Sequence, residues 1–123
     1  AEGAAQLARW LAAQGYTSAC IDIRTTPGIL HLKSGIAYLG DNRMVVIDAL
    51  ADHPALAACE LVRVAGGEEY AANCVRVNDH LLLPAGYPRL SARLAALGYA
   101  VVELAMSEFH KMDGGLSCLS LRF

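Results

Sequence analysis

The sequence predicts a mixed α/β fold in which a strand-strand-helix-strand unit of about 40 residues recurs along the chain. Two observations predict it. Residues 11–16 (LAAQGY) recur in nearly the same form at residues 94–99 (LAALGY), each time where a helix ends and a strand begins. Two turn signals, at residues 40–42 and 78–79, each separate a pair of apolar strands. Because one such unit cannot bury its own apolar face, we expect the units to stack or close into a ring.

The first predicted element is a helix over residues 4–14. Its apolar Leu7 and Trp10 recur at helical spacing and share one face. Gly15 ends this helix, because glycine readily takes the left-handed conformation found at helix C-termini. A strand over residues 16–23 is expected to come next.

The next segment predicts a hairpin, a short helix and a further strand. Strands at residues 30–39 and 44–47 flank the first turn. Asp52 is a candidate helix cap, with Pro54 in the first turn of a short helix. Residues 61–64 are apolar enough to form the strand that closes this unit.

The same order of elements then repeats. Strands at residues 74–77 and 81–83 flank the second turn, and Pro88 begins a helix that runs to residue 97 and ends at Gly98. The remaining predicted elements are a strand at residues 99–104, one helical turn at 107–110, a loop at 113–115 and a last strand at 116–123.

These elements predict parts of a larger repeat domain. Residues 1–23 form the end of one unit, residues 30–64 and 71–104 form two nearly complete units, and residues 116–123 are a closing strand. We therefore expect the chain to be the C-terminal part of one domain. The alternative is a self-contained mixed domain in which the repeated segment is accidental.

Composition excludes several classes of protein. The chain has 123 residues, of which 55% are hydrophobic, and its formal net charge is −2. A chain with this charge lacks the excess of basic residues that is typical of nucleic-acid-binding proteins. No apolar run approaches the ~20 residues of a membrane span. The first residues show no signal-peptide pattern. The four cysteines form no Cys-x-x-Cys pair, which favours reduced thiols in the cytoplasm over a zinc ribbon or a redox motif.

Cys118 is the strongest candidate for chemistry. It comes after the loop at residues 113–115, whose two glycines let the backbone approach a ligand closely. A cysteine attacks through its thiolate, so catalysis needs a base nearby. The alternative is a small buried hydrophobic side chain. That core role is favoured for the other three cysteines, which are Cys20, Cys59 and Cys74.

Four histidines are candidates for the base. His31 lies at a loop-to-strand junction after residues 25–28, and a structural role is its alternative. His110 is a rival, because it is close to Cys118 along the chain. His53 and His80 are expected in solvated surface turns.

Acidic residues and metal motifs give weaker signals. Glu68 and Glu69 are expected to be solvated in a loop, and Asp113 either contacts a cationic ligand or caps the glycine turn. No paired-cysteine spacing, His-Glu-x-x-His motif or Asp-rich loop indicates a metal site. We expect no cofactor, and leave open only an inhibitory zinc ion on Cys118 and His31 if folding brings them together.

Four stretches carry a family resemblance. They are LHLKSG at residues 30–35, YAANCVRVN at 70–78, LPAGYP at 83–88 and SEFHKMDGGLSCLSLRF at 107–123. Together, in this order, they resemble the C-terminal half of the dimethylarginine dimethylaminohydrolases of the guanidino-group-modifying (pentein) superfamily. The HLKS and DGGLSC motifs are specific in combination, and the resemblance spans nearly the whole chain.

The resemblance implies a fold and a set of roles. The family fold is a five-unit ββαβ propeller with a central active site. The family mechanism implies Cys118 as nucleophile and His31 as general acid and base. It also implies that the backbone carbonyl of Met112 faces the substrate, with Asp113 and Ser117 as further substrate-binding residues.

The resemblance further implies hydrolysis of N-ω-methylated arginine to citrulline and a methylamine. The carboxylates and arginines that clamp the substrate in this family lie upstream of this chain, so we expect the chain alone to be inactive and to pair with that N-terminal part or to form a homo-oligomer. An arginine deiminase-like or amidinotransferase relative is one alternative. A non-catalytic binding module of the same fold is another. No nucleic-acid or membrane partner is expected.

Overall fold

The structure is a computed structural model that describes residues 2–121. Within these residues, six strands form two three-stranded sheets. In chain order the elements are α1 (Glu2–Ala13), β1 (Ile36–Gly40), β2 (Arg43–Val46), α2 (Asp48–Ala51), β3 (Glu60–Arg63), β4 (Val75–Val77), β5 (His80–Pro84), α3 (Pro88–Ala96), β6 (Ala100–Leu104) and α4 (Ser107–His110). Short 3-10 helices lie at Leu32–Ser34, Pro54–Leu56 and Glu69–Ala72.

Both sheets have the same topology. In the first, β1 and β2 form an antiparallel hairpin, and β3 lies parallel to β2. In the second, β4 and β5 form the hairpin, and β6 lies parallel to β5. A parallel partner requires the chain to cross back over the sheet, and helical segments provide both crossovers. The predicted mixed α/β fold of strand-strand-helix-strand units is therefore confirmed.

The first hairpin has the backbone that its turn sequence predicts. Asp41 and Asn42 both have positive φ, 49° and 58°. Two-residue turns of this kind match the twist of the flanking strands, and Asn and Asp tolerate the left-handed region. Gly40 is needed for another reason, since a Cβ there would overlap Nη1 of Arg76 in the second sheet.

The repeated segment has the same local structure in both copies. The Tyr16 amide donates to the Leu11 carbonyl at 3.0 Å, and the Tyr99 amide donates to the Leu94 carbonyl at 3.2 Å. The glycine before each tyrosine has positive φ, 81° in the first copy and 91° in the second. This is the hydrogen-bond pattern of a Schellman motif at a helix C-terminus, and it depends only on residues close together in sequence.

The two copies differ beyond the helix stop. After the second copy, β6 forms beside β5. After the first, the strand predicted over residues 16–23 does not form, because no segment of residues 2–121 pairs with it. The helix before it, α1, has no buried residue, and Trp10 on its apolar face is 63% exposed.

Three other predicted elements differ in extent. The strand predicted at residues 30–39 is a 3-10 helix at Leu32–Ser34 followed by β1. The helix predicted from Asp52 is instead a 3-10 turn at Pro54–Leu56, where His53 Nδ1 accepts the Ala55 amide. The prediction of a last strand over residues 116–123 is wrong for residues 116–121. These form a turn and a bend without a strand partner, and the last two residues lie outside the described part.

The main core cluster spans both sheets, and a smaller cluster comprises Val75, Met106 and Leu116. The largest side chains with less than 2% exposure come from strands of both sheets and from α3. They are Leu39, Leu81, Leu83, Leu94, Val45, Val46, Val62 and Pro84. Within residues 2–121, no helix has the length and apolar content needed to cross a lipid bilayer.

Glu68 is buried, contrary to the prediction that it is solvated. Its carboxylate accepts the backbone amides of Arg89, at 3.1 Å, and Leu90, at 2.8 Å, in the first turn of α3, and it pairs with the Arg89 guanidinium at 3.1 Å. Burial alone raises the pKa of Glu68, but these hydrogen bonds and the Arg89 charge outweigh it, so the pKa is lowered below its usual value. An anion at a helix N-terminus is a stabilising arrangement.

Glu68→Gln is expected to lower the free energy of unfolding at neutral pH by about 1–3 kcal/mol, because it removes a buried charged acceptor. A pKa that is lower in the folded state stabilises the fold above the ordinary glutamate pKa, and this stabilisation is lost as pH falls through the folded-state value. Urea unfolding at neutral and acidic pH should therefore show a smaller acid effect in the variant. Glu60→Gln is the control. That carboxylate also pairs with an arginine, Arg43 at 2.8 Å, but is 57% exposed and should contribute at most about 1 kcal/mol. Equal losses in both variants would contradict the assignment.

Candidate active site

Loops from several parts of the chain line a cavity of about 1050 Å³. Cys118 and His31, which are far apart in sequence, both line it, and both side chains are exposed. The lining residues are Pro27, Gly28, Ile29, Leu30, His31, Ser34, Ile47, Asp48, Ala49, Gly67, Glu69, Tyr70, Asn73, Tyr87, His110, Met112, Asp113, Gly114 and Cys118.

Cys118 is held in a tight turn. Its backbone amide donates to the Gly115 carbonyl at 3.0 Å. Just before this turn, Asp113 has a φ of 56°, and the Gly114 amide donates to the Phe109 carbonyl at 2.9 Å, which ties the loop to the end of α4. The thiol therefore projects from a compact loop and not from the strand start that the sequence predicted.

His31 begins the 3-10 helix at Leu32–Ser34. Its backbone is extended, with φ −133° and ψ 146°, and its carbonyl accepts the Ser34 amide at 2.9 Å. The residue is exposed and lines the cavity.

The cavity is electrostatically negative. The carboxylates of Asp48, Glu69 and Asp113 line it, and none of its described lining residues is a lysine or an arginine. Glu69 accepts the Gly67 amide, and hydrogen bonds from its own backbone amide and from Gly67 lower the pKa of Glu69. It is therefore ionised at neutral pH. A cavity of this composition favours a cationic ligand.

Tyr70 connects two other lining residues. Its ring stacks on His110, with 3.7 Å between ring centroids and an interplanar angle of 22°. Its hydroxyl donates to the Gly114 carbonyl at 2.5 Å. The pKa of Tyr70 is raised, chiefly by burial.

Asn73 holds the same loop at a second point. Its side chain is buried, and its Oδ1 accepts the Ser117 amide at 3.0 Å. Its Nδ2 lies so close to Gly115 that a Cβ at that position would overlap it. Only glycine fits at position 115 while the Asn73 amide keeps this place.

The predicted substrate-binding residues separate into two groups. Met112 and Asp113 line the cavity with Cys118. Ser117 is not among its lining residues. It lines a second cavity of about 480 Å³, and its buried Oγ has no hydrogen-bond partner within residues 2–121.

The other cysteines differ in environment. Cys74 is buried, as predicted, and burial raises the pKa of its thiol to about 12. Cys59 is half-buried. Cys20 is exposed, so the prediction of a core position for it is wrong, because the strand that was expected to bury it does not form.

No group of three or more His, Cys, Asp or Glu side chains in residues 2–121 is placed to hold a metal ion. Nothing in this arrangement supports the zinc ion that the sequence left open at Cys118 and His31.

Sequence analysis missed four of these residues. Tyr70 and Asn73 belong to a stretch that carried the family resemblance, yet their attachment to the Cys118 loop has no sequence signal. Glu69 was expected to be solvated in a loop, and no sequence signal marked Asp48. Each becomes informative only when the fold brings its segment to the cavity.

One curated relative and one solved structure align with this chain along its whole length. The chain is 40% identical along all 123 residues to the N(G),N(G)-dimethylarginine dimethylaminohydrolase of Pseudomonas aeruginosa, of which it covers 47%. A solved structure of a mutant of the Pseudomonas aeruginosa enzyme, in complex with citrulline, has a TM-score of 0.91 and 39% identity over 100% of this chain and 47% of the other. No protein-family model matches the chain.

A more distant structure shares the fold alone. The N-terminal domain of ArgZ, a cyanobacterial arginine dihydrolase, matches with a TM-score of 0.72 and 24% identity over 93% of this chain and 45% of the other. The fold is that of part of the pentein α/β propeller, as the match to the solved Pseudomonas aeruginosa structure shows. The relative and the solved structure that match along the whole chain at 39–40% identity are dimethylarginine dimethylaminohydrolases. The chain spans about half the length of the relatives it matches, which is consistent with the predicted C-terminal half.

Proposed function

We propose that this chain is the C-terminal half of an enzyme that hydrolyses N-ω-dimethylated arginine to citrulline and dimethylamine. Cys118 is its nucleophile, and His31 is its general acid and base. Residues 1–123 then belong to one catalytic propeller domain. The chemistry follows the names of the relatives, one of which is a dimethylarginine dimethylaminohydrolase solved with citrulline.

The observation that carries the proposal is the cavity that Cys118 and His31 share with three carboxylates and no described basic side chain. A guanidinium group carries a delocalised positive charge, so Asp48, Glu69 and Asp113 favour its entry. The same negative field disfavours an anionic substrate. A thiol and an imidazole that line one cavity are the two groups that covalent catalysis at a guanidinium carbon requires.

In the first step, the Cys118 thiolate attacks the guanidinium carbon and forms a carbon–sulfur bond. His31 donates a proton to the dimethylamino nitrogen, so the amine leaves as a neutral molecule. The carbon–nitrogen bond breaks, and a thiouronium intermediate stays on Cys118. Dividing the reaction in this way replaces one difficult displacement with two easier steps.

In the second step, water attacks the thiouronium carbon. His31, now neutral, takes one proton from that water, the second water proton passes to solvent, and the carbon–sulfur bond breaks to release citrulline and regenerate the thiolate. The sum is one cationic substrate and one water converted to citrulline and dimethylammonium, because the released amine takes up that second proton. Holding the guanidinium in line for attack contributes to both steps.

Substrate contacts within this chain come from the cavity. Met112 and Asp113 line the cavity together with Cys118, and a backbone carbonyl and a carboxylate are groups suited to a cationic guanidinium. Ser117 is left out of these contacts, because it lines the second cavity. The groups that bind the amino-acid end of the substrate come from a second segment, equivalent to the other half of the relatives. This chain together with that segment is called the assembled enzyme below.

Localisation follows from the cysteines. All four are unpaired in the structure, and Cys20, Cys59 and Cys118 are at exposed or half-buried positions where an oxidising compartment favours disulfides. We therefore place the assembled enzyme in the cytoplasm.

The test is a substrate panel with citrulline as the measured product. Asymmetric dimethylarginine, monomethylarginine and arginine are supplied to the chain alone and to the assembled enzyme. We expect citrulline from the methylated substrates in the assembled enzyme, and no turnover by the chain alone. Turnover of arginine in preference to both methylated forms would instead identify an arginine deiminase-like enzyme. Binding without any product would identify a binding module.

A further inference from the structure

The loop that carries Cys118 is attached to a distant segment at two points. Within the described part of the chain, Tyr70 donates to the Gly114 carbonyl, and Asn73 accepts the Ser117 amide. The first bond reaches the loop just before the turn that closes on the Gly115 carbonyl, and the second reaches it within that turn. The other backbone hydrogen bonds of this loop go to residues only a few positions away.

Both attachments come from one short segment. Tyr70 lies in the 3-10 helix Glu69–Ala72, and Asn73 is the residue that ends it. This segment is anchored in the core, since Ala71 and Ala72 are fully buried and Asn73 is 4% exposed. A glycine-rich loop without such contacts samples many conformations, and hydrogen bonds to a buried segment restrict them.

The Asn73 contact involves a buried side-chain amide. A buried amide is costly unless it is hydrogen-bonded, so its presence in the core needs a reason. Its Oδ1 has the Ser117 amide as partner at 3.0 Å, and its Nδ2 packs where a Gly115 side chain would be. The loop and the amide therefore fit each other in one arrangement.

We propose that Tyr70 and Asn73 are positioning residues that hold the loop at residues 113–118 so that the Cys118 thiol faces the cavity it shares with His31. Neither residue attacks the substrate or transfers a proton. The inference rests on the proposed function, because it concerns the geometry of the same thiol and imidazole. Accurate placement of a nucleophile contributes strongly to rate, so loss of these attachments acts on Cys118 reactivity.

The experiment uses the chain itself and its own cysteines. Iodoacetamide alkylation of each cysteine is followed by mass spectrometry across the neutral pH range. Exposed Cys20 is the internal reference for the reagent, and buried Cys74 reports unfolding. We expect Tyr70→Phe and Asn73→Ala each to lower the Cys118-to-Cys20 rate ratio by about threefold or more while Cys74 stays protected. A purely structural role would instead expose Cys74, so a lowered ratio with Cys74 still protected is the result that separates the two roles.

Tyr87→Phe is the matched control, because this ring packs 5.9 Å from Tyr70 but its hydroxyl makes no hydrogen bond to the loop within residues 2–121. It should keep the wild-type ratio. If Asn73→Ala exposes Cys74, Tyr70→Phe decides alone, since it removes one hydroxyl and retains the ring that stacks on His110. A wild-type or higher ratio in Tyr70→Phe overturns the proposal. His31→Ala tests the proposed function separately: an unchanged Cys118 rate there counts against the thiol–imidazole pair, while the Tyr70 and Asn73 comparison still decides the positioning role.

Discussion

Cys118→Ser is expected to lower citrulline formation by the assembled enzyme by at least about 10⁴-fold, because a neutral hydroxyl cannot replace a thiolate as nucleophile. The side chain is exposed and the substitution changes one atom, so the thermal unfolding midpoint should stay at the wild-type value. The measurement is citrulline release under saturating dimethylarginine, together with circular dichroism on heating. A covalent adduct with substrate, detected by intact mass, should form in the wild type and be missing in the variant.

Cys20→Ser is the matched control for this result. Cys20 is also an exposed thiol, but it does not line the cavity. The control should keep full activity. Substantial turnover by Cys118→Ser, or an equal loss in both variants, would exclude Cys118 as the nucleophile.

His31→Ala is expected to have the second-largest effect, a loss of about 10²–10⁴-fold in turnover. Both steps of the proposed mechanism need a proton moved at the cavity, first to the leaving amine and then from water. Without the imidazole, a good leaving group should restore the first step in part, so a thioether analogue of the substrate is expected to lose less than dimethylarginine. Single-turnover measurement of adduct formation with each substrate provides the comparison.

Two histidines serve as references for that prediction. His80 is exposed at the start of β5 and does not line the cavity, so His80→Ala should leave turnover unchanged. His110 lines the cavity and stacks on Tyr70, which makes it the rival base. A larger loss in His110→Ala than in His31→Ala would move the general acid and base role to His110.

Much of the fold could be predicted because its signals are local. The hairpin turn at Asp41 and Asn42 follows from two residues that tolerate positive φ. The helix stops before Tyr16 and Tyr99 follow from a glycine and its neighbours. Pro88 and Gly98 were enough to predict the extent of α3 to within a residue.

Predictions that depended on a distant partner were less successful. Residues 16–23 and 116–121 have strand-like sequences, but a strand needs a neighbour to accept and donate its backbone hydrogen bonds. Glu68 looked solvated because its sequence neighbours are loop residues, whereas its ligands are the amides of Arg89 and Leu90, which lie 21 and 22 positions away. Burial of a charged group is decided by such contacts and not by its own segment.

The site divides in the same way. Cys118 and His31 were identified from short motifs, and both line the same cavity. The residues that hold the Cys118 loop were not identified, because the bonds from Tyr70 to Gly114 and from Ser117 to Asn73 each join residues 44 positions apart.

Sequence alone determined the turns, the helix stops, the recurring topology and the two side chains that are candidates for chemistry, since each depends on a few consecutive residues. Tertiary structure alone decided which strands pair, which carboxylates are buried or face the cavity, and what holds the thiol in place. The physical reason is that hydrogen-bond partners, desolvation and electric fields depend on distances in space, and folding makes these distances short between residues that the chain keeps far apart.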